Sequence, residues 1–293
     1  MKTNLALTVS KINIFNNVVL AISKISIGVV AHSAALLNDG INNAGDVVSS
    51  VIASVGISAA GKESDAEHQY GHERLESVAA ILLSGIIMVV GLGLLVDGIS
   101  SIIKGSYHEK PVPGLLAVIA AIVSIVVKEI MFLYTRWAAK KTASSALLAS
   151  SWDSQSDVLA TTGGLIGILF SRMGYPIADS IAAIIIALFI FRVGVQVFRD
   201  GADQMVDRAC KEETVQQIRT VILDQEGVRG LDLLRTRTFG SRCYVDVEIS
   251  ADGLQSLVDA HSIAERVHHA IEKNFPQVKH CMVHVNPSKQ KKQ

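Results

Sequence analysis

Two stretches combine oxygen-bearing side chains with an apolar setting. In LNDGINNAGD, residues 37–46, Asn42 and Asp46 stand one helical turn apart, and in SWDSQSD, residues 151–157, Asp153 and Asp157 repeat that spacing. Residues four apart share a helix face, so each stretch presents two oxygen donors in one direction. A charged side chain inside a bilayer is costly and is kept where it meets ions or protons. Facing one another, the two pairs make a cage of one amide and three carboxylates, with three negative charges when ionised. Crowded carboxylates favour protonation when no cation offsets them, and a divalent cation displaces those protons. Competition for the same oxygens is the physical basis of metal/proton exchange and needs no separate proton-binding residue. Asp39, one turn before Asn42, is placed as an entry or outer group. The alternative is that each aspartate pairs with a base, Lys24 and Lys128 being the candidates, or that it caps a helix break. Asp179 simply sits near a helix start. Two polar pairs on separate segments favour the cage.

The surrounding sequence says what must position these residues. The chain has 293 residues, of which 49% are hydrophobic and only 18% charged. Charge is sparse between about Asn13 and Phe198 and dense from Arg199 onward. A membrane helix needs about 20 apolar residues, and windows of that length occur near 12–31, 36–58, 78–103, 114–135, 145–170 and 177–198. The expected architecture is a transmembrane domain of six helices over 1–206, followed by a polar domain over 207–293. Lysines and arginines such as Lys11, Lys62, Arg136, Lys140 and Arg199 fall on one side of this pattern, against Lys104, Lys110 and Arg172 on the other. The positive-inside rule then puts both termini and the polar domain in the cytosol. The second and fifth spans are the polar ones and are rich in small residues that let helices approach closely. They are expected to be the interior pair.

The polar domain reads helix, strand, strand, helix, strand. EETVQQIRTVILDQE has helical periodicity, VRGLDLLRTRTF and RCYVDVEIS alternate around Gly240-Ser241, LQSLVDAHSIAERVHHAIEKNF is amphipathic, and HCMVHVN alternates again. An αββαβ order implies an α+β fold with helices on one face of a sheet. The formal net charge is zero, so nothing points to a nucleic-acid partner. No cleavable signal segment is evident at the start of the chain. No nucleophile–base pair lies in the spans and no phosphate-cradling glycine loop occurs, which argues against an enzyme. Cys210, Cys243 and Cys281 form no CxxC pair and are expected to be free thiols in a reducing compartment.

With its six spans, its polar motifs on the second and fifth, SDAEHQYGHERLES at 64–77 and LLRTRTFGS at 233–241, the chain resembles the cation diffusion facilitator family along nearly its whole length. The resemblance implies a homodimeric metal/proton antiporter of a bacterial inner membrane, with a metallochaperone-like, ferredoxin-type cytosolic domain. It implies a transport site at Asn42, Asp46, Asp153 and Asp157. Zinc-transporting members place a histidine in that quartet, and this chain has none, so the set resembles the manganese-transporting branch. Ligand chemistry agrees: carboxylate and carbonyl oxygens suit manganese, magnesium and calcium, whereas imidazole and thiolate favour zinc and copper. Mn2+ is the expected cargo, ahead of Fe2+ or Zn2+, with protons as counter-ion. The resemblance further implies a loop metal site at Asp65, His68 and His72, and a charge pair between Arg74 and Asp207. A metal site in the polar domain is implied at Asp232, Glu248, His261, His284 and Asn286. A non-transporting metal sensor or assembly partner of the same fold is the alternative.

Overall fold

The structure, a computed structural model, describes residues 2–30, 34–105, 115–172, 177–240 and 242–288. It divides into two compact units, 1–202 and 203–293, and each is treated by itself.

The first unit is helical. Its elements are α1 (Lys2–Val30), α2 (Ala34–Ala60), α3 (Arg74–Lys104), α4 (Leu115–Thr142), α5 (Ser145–Arg172) and α6 (Ile177–Met205), the last running across the boundary between units. In a bilayer every backbone N–H and C=O must be bonded within the protein, which long uninterrupted helices achieve. Among the described residues, the stretches Asn4–Val29, Gly40–Ala60, Arg74–Lys104 and Val118–Thr142 have the length and apolarity to cross a membrane. α5 is as long, at 28 residues, but its serines, threonines and aspartates make it the polar member of the set.

Outward-facing residues such as Ile22, Val55, Val89 and Ile185 are apolar and exposed, as lipid contact requires. The inner faces are small or polar. Ala53, Ala80, Leu83, Ala149 and Val193 make one buried cluster, and Ala6, Ile57, Ala138 and Leu147 another. Gly40 marks a close crossing of α1 and α2: a Cβ there would stand 2.6 Å from Ile25 Cγ1 and 2.9 Å from the Ile25 backbone nitrogen. α5 is started by Ser144, whose hydroxyl accepts from the Leu147 N–H at 3.1 Å, an N-cap interaction. Glu76 of α3, 8% exposed, brings its carboxylate to Ser144 and to the backbone of Ser145 and Ala146. A negative charge there complements the positive end of the α5 dipole.

The second unit contains α7 (Glu212–Leu223), β1 (Gly230–Phe239), β2 (Arg242–Ala251), α8 (Leu257–Asn274) and β3 (Val278–Pro287). The sheet order is β1-β2-β3, with β1 and β2 antiparallel and β2 and β3 parallel. Ile218 and Ile222 of α7 and Ile263, Val267 and Ile271 of α8 are spaced by helical turns and bury themselves with Val245, Val247 and Ile249 of β2. The αββαβ expectation and its α+β character are therefore met. Ser256 caps α8 by accepting from the Asp259 N–H at 3.1 Å.

One expectation is corrected here. Cys210 and Cys243 are not free thiols but form a disulfide, with Cα atoms 6.6 Å apart. They are 33 residues apart in sequence, so no spacing motif announces them. The fold brings them together: the Cys210 N–H donates to Thr236 Oγ1 at 3.0 Å, which holds the segment before α7 against β1, and Cys243 pairs with Thr238 across the hairpin. Cys281 is free and buried.

Candidate metal site

α2 and α5 bring the two polar motifs to one place. Asn42, Asp46, Asp153 and Asp157 all line a single cavity of about 720 Å³, together with Lys24 and Lys128. The i,i+4 spacing puts each pair on the cavity side of its helix, where Asn42 is exposed and Asp46, Asp153 and Asp157 are partly buried, and α1 packs closely on α2 at Gly40. The side chain of Asp39 lies outside the described residues, as does that of Asp179.

Lys128 of α4 reaches into the centre of this group. Its Nζ lies 2.7 Å from Oδ2 of Asp46 and 2.7 Å from Oδ2 of Asp157. The two carboxylate oxygens are thus no farther apart than twice that distance. Lys128 is buried and joins α2, α4 and α5 through one ammonium group. It entered the sequence argument only as a possible partner that would make the aspartates structural, yet here it is a fourth charged member of the site. With Asp97 and Lys24, which also line the cavity, four carboxylates and two ammonium groups leave two net negative charges when all are ionised.

Two asparagines that sequence reasoning passed over complete the surroundings. Asn43, next to Asn42, is buried and donates from Nδ2 to Asp46 Oδ2 at 2.9 Å. Its Oδ1 is buried without a hydrogen-bond partner. Asn17 of α1 donates to Ser50 Oγ at 2.8 Å and to the Asp46 carbonyl at 3.3 Å, so α1 holds the backbone of the very residue that carries the carboxylate. Beyond it, Asn13, Tyr134 and Thr135 form a buried hydrogen-bonded group between α1 and α4. Polar residues at a single helical face in α1 were the available signal, and they were read only as interruptions of an apolar run.

The loop between α2 and α3 carries the second set. Among the described residues, Asp65, His68 and His72 are the group of three whose ligand atoms all lie within 4.8 Å of one another. His72 Nε2 is 3.3 Å from Asp65 Oδ2, and His68 Nδ1 is 3.3 Å from Asp65 Oδ1. His72 Nδ1 lies 3.2 Å from the Glu63 carbonyl; donating its proton there leaves the Nε2 lone pair directed at Asp65, the arrangement that orients histidine ligands in metal sites. The His68 backbone N–H donates to Asp65 at 2.7 Å and is the main reason the Asp65 carboxyl is held below its ordinary range.

In the second unit, Asp232, Glu248 and Asn286 come together: Asn286 Nδ2 donates to Asp232 Oδ2 at 3.1 Å and to Glu248 Oε2 at 3.4 Å. His284 is the register partner of Glu248 on β3. His261 stands exposed on α8, with Glu265 Oε1 at 3.8 Å. Among the described residues these groups do not form a compact three-ligand cluster within one chain.

Known proteins bear on this geometry. Residues 10–206 match the family described as the cation efflux transmembrane domain, and residues 210–288 match the cation efflux protein cytoplasmic domain. The manganese efflux system protein MneP of Bacillus subtilis is 30% identical over 286 residues, covering 95% of each chain. The manganese efflux system protein MneS of the same organism is 30% identical over 93% of this chain and 92% of its own. The magnetosome protein MamB of Magnetospira sp. is 27% identical, over 89% and 88%. The match over residues 10–206 alone spans most of the helical unit that carries the partly buried carboxylates. The chain belongs to the cation efflux, or cation diffusion facilitator, family: it is a multi-pass membrane transporter of metal cations and not an enzyme.

Proposed function

We propose that the chain exports Mn2+ from the cytosol in exchange for protons, with Asn42, Asp46, Asp153 and Asp157 binding the cation between α2 and α5. The observation that carries this reading is the composition of the cavity. All four side chains line it, every donor of the quartet is oxygen, and among the described residues no imidazole or thiolate lines the cavity with them. Oxygen-only donors suit manganese, and lack the nitrogen and sulfur ligands that favour zinc. The names of MneP and MneS, related along nearly the whole chain, support the same cargo. Rocking of helices that exposes a buried site to one side and then the other is the general route of secondary transport. Protonation of the carboxylates on the outer side then aids release. Both termini lie in the cytosol in this scheme, the membrane is the bacterial inner membrane, and two copies pair through the second unit.

The test is a metal panel in proteoliposomes, comparing Mn2+, Zn2+, Fe2+, Cd2+ and Mg2+ with simultaneous recording of internal pH. Mn2+ uptake against a proton gradient is expected for the parent, and Asn42→His is expected to raise zinc relative to manganese. An unchanged ranking in the variant removes Asn42 from selectivity. A second reading, a sensor or assembly partner in which the aspartates serve structure, draws on the Lys128 bridge. Sealed vesicles that move neither ion would favour it.

A further inference from the structure

We infer that Lys128 is a tethered counter-cation that the transported metal must displace, and that it thereby sets how tightly the site binds and how readily it lets go. The inference rests on the transport site proposed above and adds a residue outside the quartet.

Three observations carry it. Lys128 Nζ lies at hydrogen-bonding distance, 2.7 Å, from one oxygen of Asp46 and one of Asp157, two of the carboxylates of the proposed site. A metal ion binds carboxylate oxygens at about 2.0–2.6 Å, so metal and ammonium cannot share that gap. Lys128 is 2% exposed, so its charge is not dispersed into water and acts on the carboxylates at close range. The cavity beside it is roomy, and Asp97 of α3 lines it as a further acidic group. A lysine stem has four rotatable carbons, so the ammonium can leave the bridge without moving the α4 backbone.

The charge arithmetic gives the displacement a purpose. The charged residues lining the cavity, Asp46, Asp97, Asp153 and Asp157 with Lys24 and Lys128, carry a net charge of two negatives when all are ionised, which one divalent cation neutralises. Without Lys128 the carboxylates would bind the same ion more tightly, and release would rest on their protonation alone. With it, the ammonium waits at the edge of the site and returns to the carboxylates as the metal departs. Lys128 is thus a positioning and release residue, and it does not itself ligate.

The experiment uses the purified full-length chain and Mn2+. Calorimetry on Lys128→Gln should show Mn2+ bound about tenfold more tightly than by the parent, while turnover in vesicles falls by at least about tenfold with KM falling alongside it. Lys128→Arg, which keeps the charge, should return Kd to within about threefold of the parent. A purely structural lysine predicts weaker binding in the glutamine variant, and an unchanged or weakened Kd there overturns the inference. Should that variant fail to fold, the parent still decides. Labelling of Lys128 by a membrane-permeant acylating reagent, read by mass spectrometry, should rise when saturating Mn2+ is added, and no rise overturns the inference. A parent that binds Mn2+ but does not carry it into vesicles removes the transport reading instead, and leaves the Lys128 displacement to be judged on the binding and labelling arms.

Discussion

Neutralising Asp46 and Lys128 separately and together measures what the ammonium bridge contributes to the helical unit. The Lys128–Asp46 contact is 2.7 Å, between side chains that are 3% and 16% exposed. At an effective dielectric constant of about 20 the gross attraction at that distance is about 6 kcal/mol. Desolvation of both ions consumes most of it, and a hydrogen bond to a charged group nets about 1.5–3 kcal/mol. Asp46→Asn preserves shape and leaves Lys128 the Asp157 carboxylate, so a loss of about 2 kcal/mol is predicted. Lys128→Gln removes the cation that bridges Asp46 and Asp157, and the prediction is a loss of about 3 kcal/mol or more. The double variant lacks both halves of one ion pair and should cost less than the sum, by about 2 kcal/mol. The assay is thermal melting of the full chain in detergent with metal chelated. For a unit of this size about 1 kcal/mol moves Tm by 2–4 °C, so the coupling should appear as a deficit of about 4–8 °C relative to additivity. Additivity within about 0.5 kcal/mol would refute the claim that the two charges act on one another. Excess Mn2+ should then raise the Tm of Lys128→Gln more than that of the parent, because a tenfold gain in affinity adds about 1.4 kcal/mol of ligand stabilisation.

Three shorter predictions concern other parts of the molecule. Gly40→Ala should lower Tm despite a helix-propensity gain of about 1 kcal/mol, because its Cβ would press on the Ile25 backbone at 2.9 Å, whereas Gly85→Ala, with open space around the added atom, should raise it; equal shifts would dispose of the close-approach argument. Burial, with Glu272 and Asp246 nearby, pushes the Cys281 thiol up from 9.0 to about 12. The stability from keeping this thiol neutral is therefore complete below pH 9 and is lost as pH rises toward 12. Cys281→Ala should flatten the fall in stability across that window, and an identical slope counts against the burial. Zinc titration of His72→Ala should show one bound ion fewer per chain than the parent, and an undiminished stoichiometry would mean that Asp65, His68 and His72 hold no metal.

The fold and the site were unequally legible. Helices such as α3 declare themselves because lipid demands an apolar run, and the αββαβ order of the second unit follows from a change in period at Glu226-Gly227 and Gly240-Ser241. The pairs Asn42–Asp46 and Asp153–Asp157 were visible because four-residue spacing is a property of a single helix. What the sequence concealed are relations between elements. Asn43 differs from Asn42 by about 100° around α2, and nothing in one sequence says which of the two asparagines turns toward Asp46; in the structure both line the cavity, and Asn43 is the one bonded to the carboxylate. The Cys210–Cys243 bond was misread for the same reason, since the register of the hairpin decides it.

Lys128 shows why the two accounts of the aspartates, cation cage and salt bridge, are not rivals. Both require carboxylates that are buried, close together and short of positive charge. A lysine meets that need from within the chain and a divalent ion meets it from outside, using the same oxygens. The distinction lies in exchange: a structural pair stays made, whereas an internal cation beside open space, on a flexible stem, can give way to a doubly charged competitor. On the proposed site, the two net negative charges of the cavity's four acids and two lysines equal the charge of one such ion, and that count depends on the lysines as much as on the acids.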